Sequence, residues 1–157
     1  MSIMKKIIYT SVLLLLSVFL ADNALSQNCN KFHLYGTCMQ YPGASYKVDG
    51  QSRSNVIGVG DKLVYNVIFY GERSYKLIFC ATELFNPVHY VLIDAETREL
   101  IFDSKNNDYS ETVELSVEKT RRIMIEISVL ALNADKKTTE DFFGCVGFLM
   151  HWKPIKK

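Results

Sequence analysis

Net charge is the first thing this chain lacks. Its 18 Lys and Arg residues are offset by 17 Asp and Glu, leaving +1 over 157 residues. No basic surplus is available to neutralise a phosphate backbone, which excludes a general nucleic-acid binder. Only three His and four Cys are present, so few catalytic or metal constellations can be assembled. G-x-S-x-G, H-E-x-x-H, the Walker loop and G-x-G-x-x-G are all missing, and no cofactor is implied. No C-x-x-C pair occurs, and His33, His89 and His151 are scattered, which is the wrong spacing for a structural zinc site. Internal repeats and low-complexity linkers are also absent.

What is present begins with an export pattern. Lys5 and Lys6 precede an uncharged apolar run from Ile7 to Ala21, followed by small residues. This is the layout of a secretory signal peptide. The run is fifteen residues, short of the ~20 that span a bilayer comfortably as a helix. Cleavage is expected after Ser26, with Ala24 at −3, so that residues 1–26 form the signal and 27–157 the mature domain. Cys29 does not directly follow the cut, which argues against lipidation; an uncleaved N-terminal anchor is the alternative. Removal takes Lys5, Lys6 and Asp22, leaving 16 basic and 16 acidic residues. The remaining 131 residues suffice for one hydrophobic core. Charged residues interrupt every later apolar stretch, so no membrane span is expected after signal cleavage.

All four cysteines, Cys29, Cys38, Cys80 and Cys145, lie in the mature part. An even count in an exported chain reads as two disulfides, with three possible connectivities. Cys29 and Cys38 are close enough to close a small N-terminal loop, while Cys80 ends one apolar run and Cys145 opens another. The expected pairs are therefore Cys29–Cys38 and Cys80–Cys145.

The body of the chain alternates. Leu63, Tyr65, Val67 and Phe69 form one period-two series, and Tyr75, Leu77 and Phe79 another. Val113, Leu115 and Val117 make a third, and Ile123, Ile125, Ile127 and Val129 a fourth. Such patterning places one face of a strand in a core and the other toward water. Further strands are expected at Tyr46–Val48 continuing toward Val59, and at Val88–Asp94, Glu99–Asp103 and Val146–Trp152. Short polar turns fall at 59–61, 70–73, 94–98 and 105–108. The fold class is therefore all-β: an antiparallel sandwich, jelly-roll-like, of about eight strands arranged as meanders. Asn133–Glu140, the one helix-like polar stretch, reads as a long loop or a single turn.

The segment Gly60-Asp61-Lys62-Leu63-Val64-Tyr65 to Tyr75-Lys76-Leu77-Ile78-Phe79 resembles the opening of bacterial pre-peptidase C-terminal domains. His89–Asp94 through Arg98–Asp103 continues that pattern of strand, turn and strand, and Glu111–Val117 with Arg121–Leu130 matches its later strands. The mature chain is also similar to small secreted proteins of Gram-negative bacteria that share Gln51-Ser52-Arg53-Ser54 and Gly144-Cys145-Val146-Gly147. The resemblance covers most of residues 45–153. It implies a jelly-roll-like sandwich and brings no catalytic residue with it. The departures are the missing peptidase and the paired cysteines.

Candidate sites are few. Tyr35, Tyr41, Tyr46 and Trp152 could form an aromatic platform for a sugar or peptide; with one Trp in the chain, lining the core or stapling the N-terminal loop is the favoured account. Asp103, Asn106, Asn107 and Asp108 offer oxygen ligands to calcium, although Lys105 and Asp108 break the EF-hand pattern and a solvated hairpin turn explains them better. Ser52, Ser54, His89 and Asp94 supply residue types for a hydrolase without a telling spacing. Arg53, Arg121 and Arg122 could grip a carboxylate or phosphate, or discourage pairing at strand edges. Gly58-Val59-Gly60 reads as a strand-to-strand turn. No metal site is expected. The functional expectation is a secreted or periplasmic, non-enzymatic binding or accessory protein whose partner is an envelope protein or glycan. A carbohydrate-binding module is the alternative, with an exposed Trp152 or Tyr cluster on a flat face. A small hydrolase comes third, with a base touching a nucleophile in a cleft.

Overall fold

The computed structural model describes residues 29–35, 38–39, 42–129 and 143–155. The expected signal peptide, Tyr41 and the Asn133–Glu140 stretch lie outside the described residues.

Nine strands are present among the described residues: β1 Lys47–Val48, β2 Arg53–Gly58, β3 Lys62–Phe69, β4 Arg73–Ala81, β5 Val88–Asp94, β6 Leu100–Asp103, β7 Thr112–Val117, β8 Arg121–Val129 and β9 Phe143–Pro154. Among the described residues, 3-10 turns span Phe32–Leu34, Glu83–Phe85 and Ser104–Asn107. One sheet has the order β1-β9-β4-β7, with β2 also paired to β9, and the other is β3-β8-β5-β6. All pairings are antiparallel.

The alternating residues behave as their period requires. Val67, Phe69, Tyr75, Leu77, Phe79, Ile123, Ile125 and Ile127 are buried, and together with Tyr90, Leu92, Val146, Phe148 and Met150 they fill the space between the sheets. The Phe79 and Tyr90 rings stack with centroids 3.5 Å apart. The two largest buried side chains keep their polar tips satisfied. The Tyr90 hydroxyl donates to the Ser110 carbonyl at 2.8 Å, and the Tyr75 hydroxyl accepts the Tyr70 N–H at 2.7 Å.

Chain order corrects the expectation of meanders. Among the described strands only β5 and β6 form a hairpin; β2 to β5 alternate between the sheets, and so do β6 to β9. The two four-stranded orders, 2-9-4-7 and 3-8-5-6, give the double Greek key of a jelly roll. Face-to-face sheets lie only ~10 Å apart, so a short polar turn hops between them as readily as it closes a hairpin. The 105–108 segment is corrected for the same reason. It lies in the crossing from β6 to β7, and Ser104–Asn107 is a 3-10 turn there rather than a hairpin turn. The Gly58-Val59-Gly60 stretch does connect β2 to β3, with Gly60 at φ +85° and the Asp61 carboxylate accepting the Gly58 N–H.

The disulfides are Cys29–Cys145 and Cys38–Cys80, which corrects both expected pairs and removes the disulfide-closed N-terminal loop. Geometry gives the reason. Cys80 stands directly opposite Gly147, so Cys145 lies two residues away on the diagonal. Diagonal neighbours in a sheet have Cβ atoms ~7 Å apart, beyond the reach of an S–S bond. Residues 29–35 and 38–39 instead lie as a strap on the outer face of the β1–β9–β4–β7 sheet, bolted to β9 by Cys29 and to β4 by Cys38. Phe32 and Leu34 on the strap pack against Cys38, Cys80 and Leu149. Gly147 leaves room for both β2 and the strap: a Cβ there would meet Ser54 Cβ at 2.8 Å and the Arg53 carbonyl at 2.9 Å on β2, and His33 Cβ at 3.2 Å on the strap.

Candidate functional site

The most distinctive chemistry gathers at one end of the sandwich, where β1, the β3–β4 turn and the end of β9 converge. Trp152 and Lys153 are consecutive on β9 and therefore point to opposite faces of the sheet. Trp152 packs against the core and is only partly exposed. Its ring carries the Arg73 guanidinium at 3.9 Å and the Lys47 ammonium at 5.4 Å, and Arg73 also lies 5.0 Å from the Tyr70 ring. On the other side the Lys153 ammonium sits 4.4 Å above the Tyr46 ring. Four ion pairs occur among the described residues, and Lys47, Arg73 and Lys153 belong to none of them. Aromatic faces hold these three cations without cancelling their charge, at ~0.5–1 kcal/mol each where exposed.

Beside Tyr46 is a surface cleft of about 480 Å³, lined by Ser45, Ser74, Lys153, Pro154 and Ile155. Ser74 and Lys153 face each other across the β4–β9 ladder, and the Ser74 hydroxyl is 3.2 Å from that of Ser116 on β7. The next row holds His151 opposite Lys76, with Glu114 paired to Lys76 at 3.4 Å. His151 is 4% exposed, and its Nδ1 has no hydrogen-bond partner. Burial, then the nearby Lys76 charge, holds its pKa below the ordinary imidazole value. The outer face of this sheet thus divides in two. Its Cys80–Leu149 part lies under the strap, and its Ser74–Lys153 end is lined by hydroxyls and cations.

Among the described residues, Tyr35, Tyr46 and Trp152 of the possible aromatic platform do not share one face. Tyr35 is 66% exposed but sits on the strap, Trp152 lies under Arg73 and Lys47, and Tyr41 is outside the described residues. Of the expected ligand surface, Tyr46 and Trp152 are at the cationic end.

Two Ser–His contacts arise that spacing did not reveal. His33 Nδ1 lies 2.8 Å from Ser54 Oγ, while that hydroxyl donates to the Cys29 carbonyl at 2.7 Å. The serine proton is thus already committed, and His33 acts as donor rather than base. Its pKa is lowered by burial and by Arg53. On the outer face of the second sheet, His89 Nε2 is 2.8 Å from Asp103 Oδ1, and Ser128 Oγ is 3.3 Å from His89 Nδ1. The pairing of β5 with β8 sets His89 directly opposite Ser128. The proton order is that of a Ser–His–Asp relay with the two ring nitrogens exchanged. Yet β8 is paired on both sides, by β3 and β5, and β5 by β8 and β6. Their backbone N–H groups are spent on the ladders, so none is free to stabilise an oxyanion beside Ser128. The chain works here as a clamp across three strands.

Asp103 is also bound by the Lys105 N–H at 2.9 Å. Burial opposes its ionisation, but the His89 and Lys105 contacts outweigh it and bring its pKa below the usual carboxylate value. Among the described residues no three His, Cys, Asp or Glu side chains gather as a metal site. No described helix is long and apolar enough to cross a membrane. Ser52 bridges the Asp49 carbonyl and the Met150 N–H, Asp94 caps its own turn through Glu96 and Thr97, and the Arg53 guanidinium donates to the Gly50 and Ser52 carbonyls. Arg121 approaches Asp94 at 3.7 Å. These roles are structural.

No protein-family model matches the chain, and no curated protein is significantly similar to it.

Proposed function

We propose that the protein is a secreted or periplasmic, non-enzymatic binding protein of the cell envelope, and that it holds its ligand at the cationic end of the jelly roll. The observation that carries this reading is a cleft lined by Lys153, whose ammonium lies on the Tyr46 ring, at the same end of the sandwich where Lys47 and Arg73 lie on the Trp152 ring on the other face of the sheet. Cations stacked on rings remain available to an incoming anion and are already oriented for it. Export is supported by the charged-then-apolar N-terminus and by four oxidised cysteines with none free among the described residues.

A glycan partner is favoured over an envelope protein by the concave shape, although the ligand would enter a cleft rather than lie on a flat aromatic face. The hydrolase alternative is weakened by the missing oxyanion donors at Ser128. The test is an NMR titration of residues 27–157 with solubilised envelope glycans and envelope proteins, together with a panel of ester substrates. Shifts at Tyr46, Tyr70, Arg73, Trp152 and Lys153 are expected, without ester turnover. Turnover abolished by Ser128→Ala, or binding that maps to the far end of the sandwich, would overturn the reading.

A further inference from the structure

We infer that the cleft at Ser45, Ser74, Lys153, Pro154 and Ile155 recognises an acidic sugar, that is, a pyranose bearing a carboxylate or a phosphate. The inference rests on the binding-protein reading and adds the chemical class of the ligand. Each element of such a ligand has a counterpart in the cleft. The Lys153 ammonium meets the acid. It is fixed over Tyr46 at 4.4 Å and forms no ion pair among the described residues, so its charge is unspent.

The Ser45 and Ser74 hydroxyls both donate and accept, which suits ring hydroxyls. Ser74 is held by Ser116 at 3.2 Å, so its position is set before the ligand arrives. Pro154 and Ile155 supply an apolar wall for the C–H face of a pyranose. The volume of about 480 Å³ falls within the ~300–1,000 Å³ of small-ligand pockets. A purely apolar ligand would leave Lys153 and two hydroxyls desolvated without partners, and a bare anion would leave the apolar wall unused.

Isothermal titration and NMR on residues 27–157 decide the matter with four probes: trigalacturonate, glucose 6-phosphate, neutral maltotriose and inorganic phosphate. One or both acidic sugars should bind at least tenfold more tightly than maltotriose and inorganic phosphate. Whichever acidic sugar binds better identifies the source of the acid. Lys153→Gln should weaken that binding by about tenfold or more, Ser74→Ala by a few-fold, and Lys153→Arg should retain most of it, which separates charge from misfolding. Maltotriose bound as tightly as the acidic sugars, and unaffected by Lys153→Gln, would overturn the acidic-sugar inference and leave the binding-protein reading standing. Inorganic phosphate bound as tightly as glucose 6-phosphate, with no trigalacturonate binding, would overturn the sugar part. Silence of all four probes at ten millimolar would overturn the inference outright, whereas the binding-protein reading falls only if the envelope fractions also fail to perturb this end.

Discussion

The side-chain amide of Gln51 pairs with the main chain of Ile68 as a neighbouring strand would, donating to its carbonyl and accepting its N–H, each at 2.9 Å. Gln51 follows β1 at the edge of one sheet, and Ile68 lies on β3 at the edge of the other, so a single carboxamide links the two sheets along their open side. It also occupies one site on an edge that could otherwise recruit another chain. Gln51→Ala should cost ~1 kcal/mol in urea unfolding, the net worth of such exchanged hydrogen bonds, and should speed amide exchange at Ile68. Unchanged exchange at Ile68 would mean that the pairing has no weight in solution.

Peptide mapping without reductant should join the Cys29 peptide to Cys145 and the Cys38 peptide to Cys80. The bridges span 116 and 42 residues of sequence. On chain-entropy grounds each contributes ~4–5 kcal/mol, so Cys29→Ser with Cys145→Ser should lower stability by several kcal/mol. A mapped Cys29–Cys38 peptide would contradict the strap.

Stability should fall in two steps on acidification. For His33 and His151 the folded pKa lies below the free value of 6.5, so the unfolded chain binds more protons as pH drops below that value. Stability therefore rises with pH across this window and is lost on descending through it. Asp94 and Asp103 have folded pKa values below 3.8, so their contribution is present above that pH and disappears beneath it. His151→Leu should flatten the first step, read as the difference between urea midpoints at pH 5 and pH 8. Asp103→Asn should flatten the second.

Gly147→Ala places a methyl group against Ser54 Cβ and the Arg53 carbonyl. Overpacking of this kind costs ~1–3 kcal/mol. Thermal unfolding of the variant should show it, with the loss concentrated in exchange protection of β2 and the strap. A neutral result would mean that β2 yields freely.

Strand positions were legible because a period of two is a local signal. Val88–Asp94 emerges with its expected limits, and the 63–69 and 123–129 series face inward as their alternation demands. Partner choice is not local. Nothing in the turn at 70–73 says whether it closes a hairpin or hops between sheets, and it hops. The cysteine pairing differs for the same cause, since a register shift of two residues decides whether Cys80 faces Cys145 or Gly147. The contact of His89 with Asp103 and Ser128 likewise needs three strands in register. Trp152 could be flagged as an aromatic, but only the packed sheet reveals that Arg73 covers it.

The Cys29–Cys145 bridge also has a temporal side. Synthesis runs from one end, so the first cysteine of the chain is made 116 residues before its partner, whereas Cys38, its wrong partner, follows within nine. Through most of translation, the thiols at 29 and 38 are neighbours with no correct mate in existence for Cys29. A premature link between them must be undone by thiol–disulfide exchange before the strap can be laid. Where that link forms first, the yield of folded protein should respond to an isomerase more than to an oxidant.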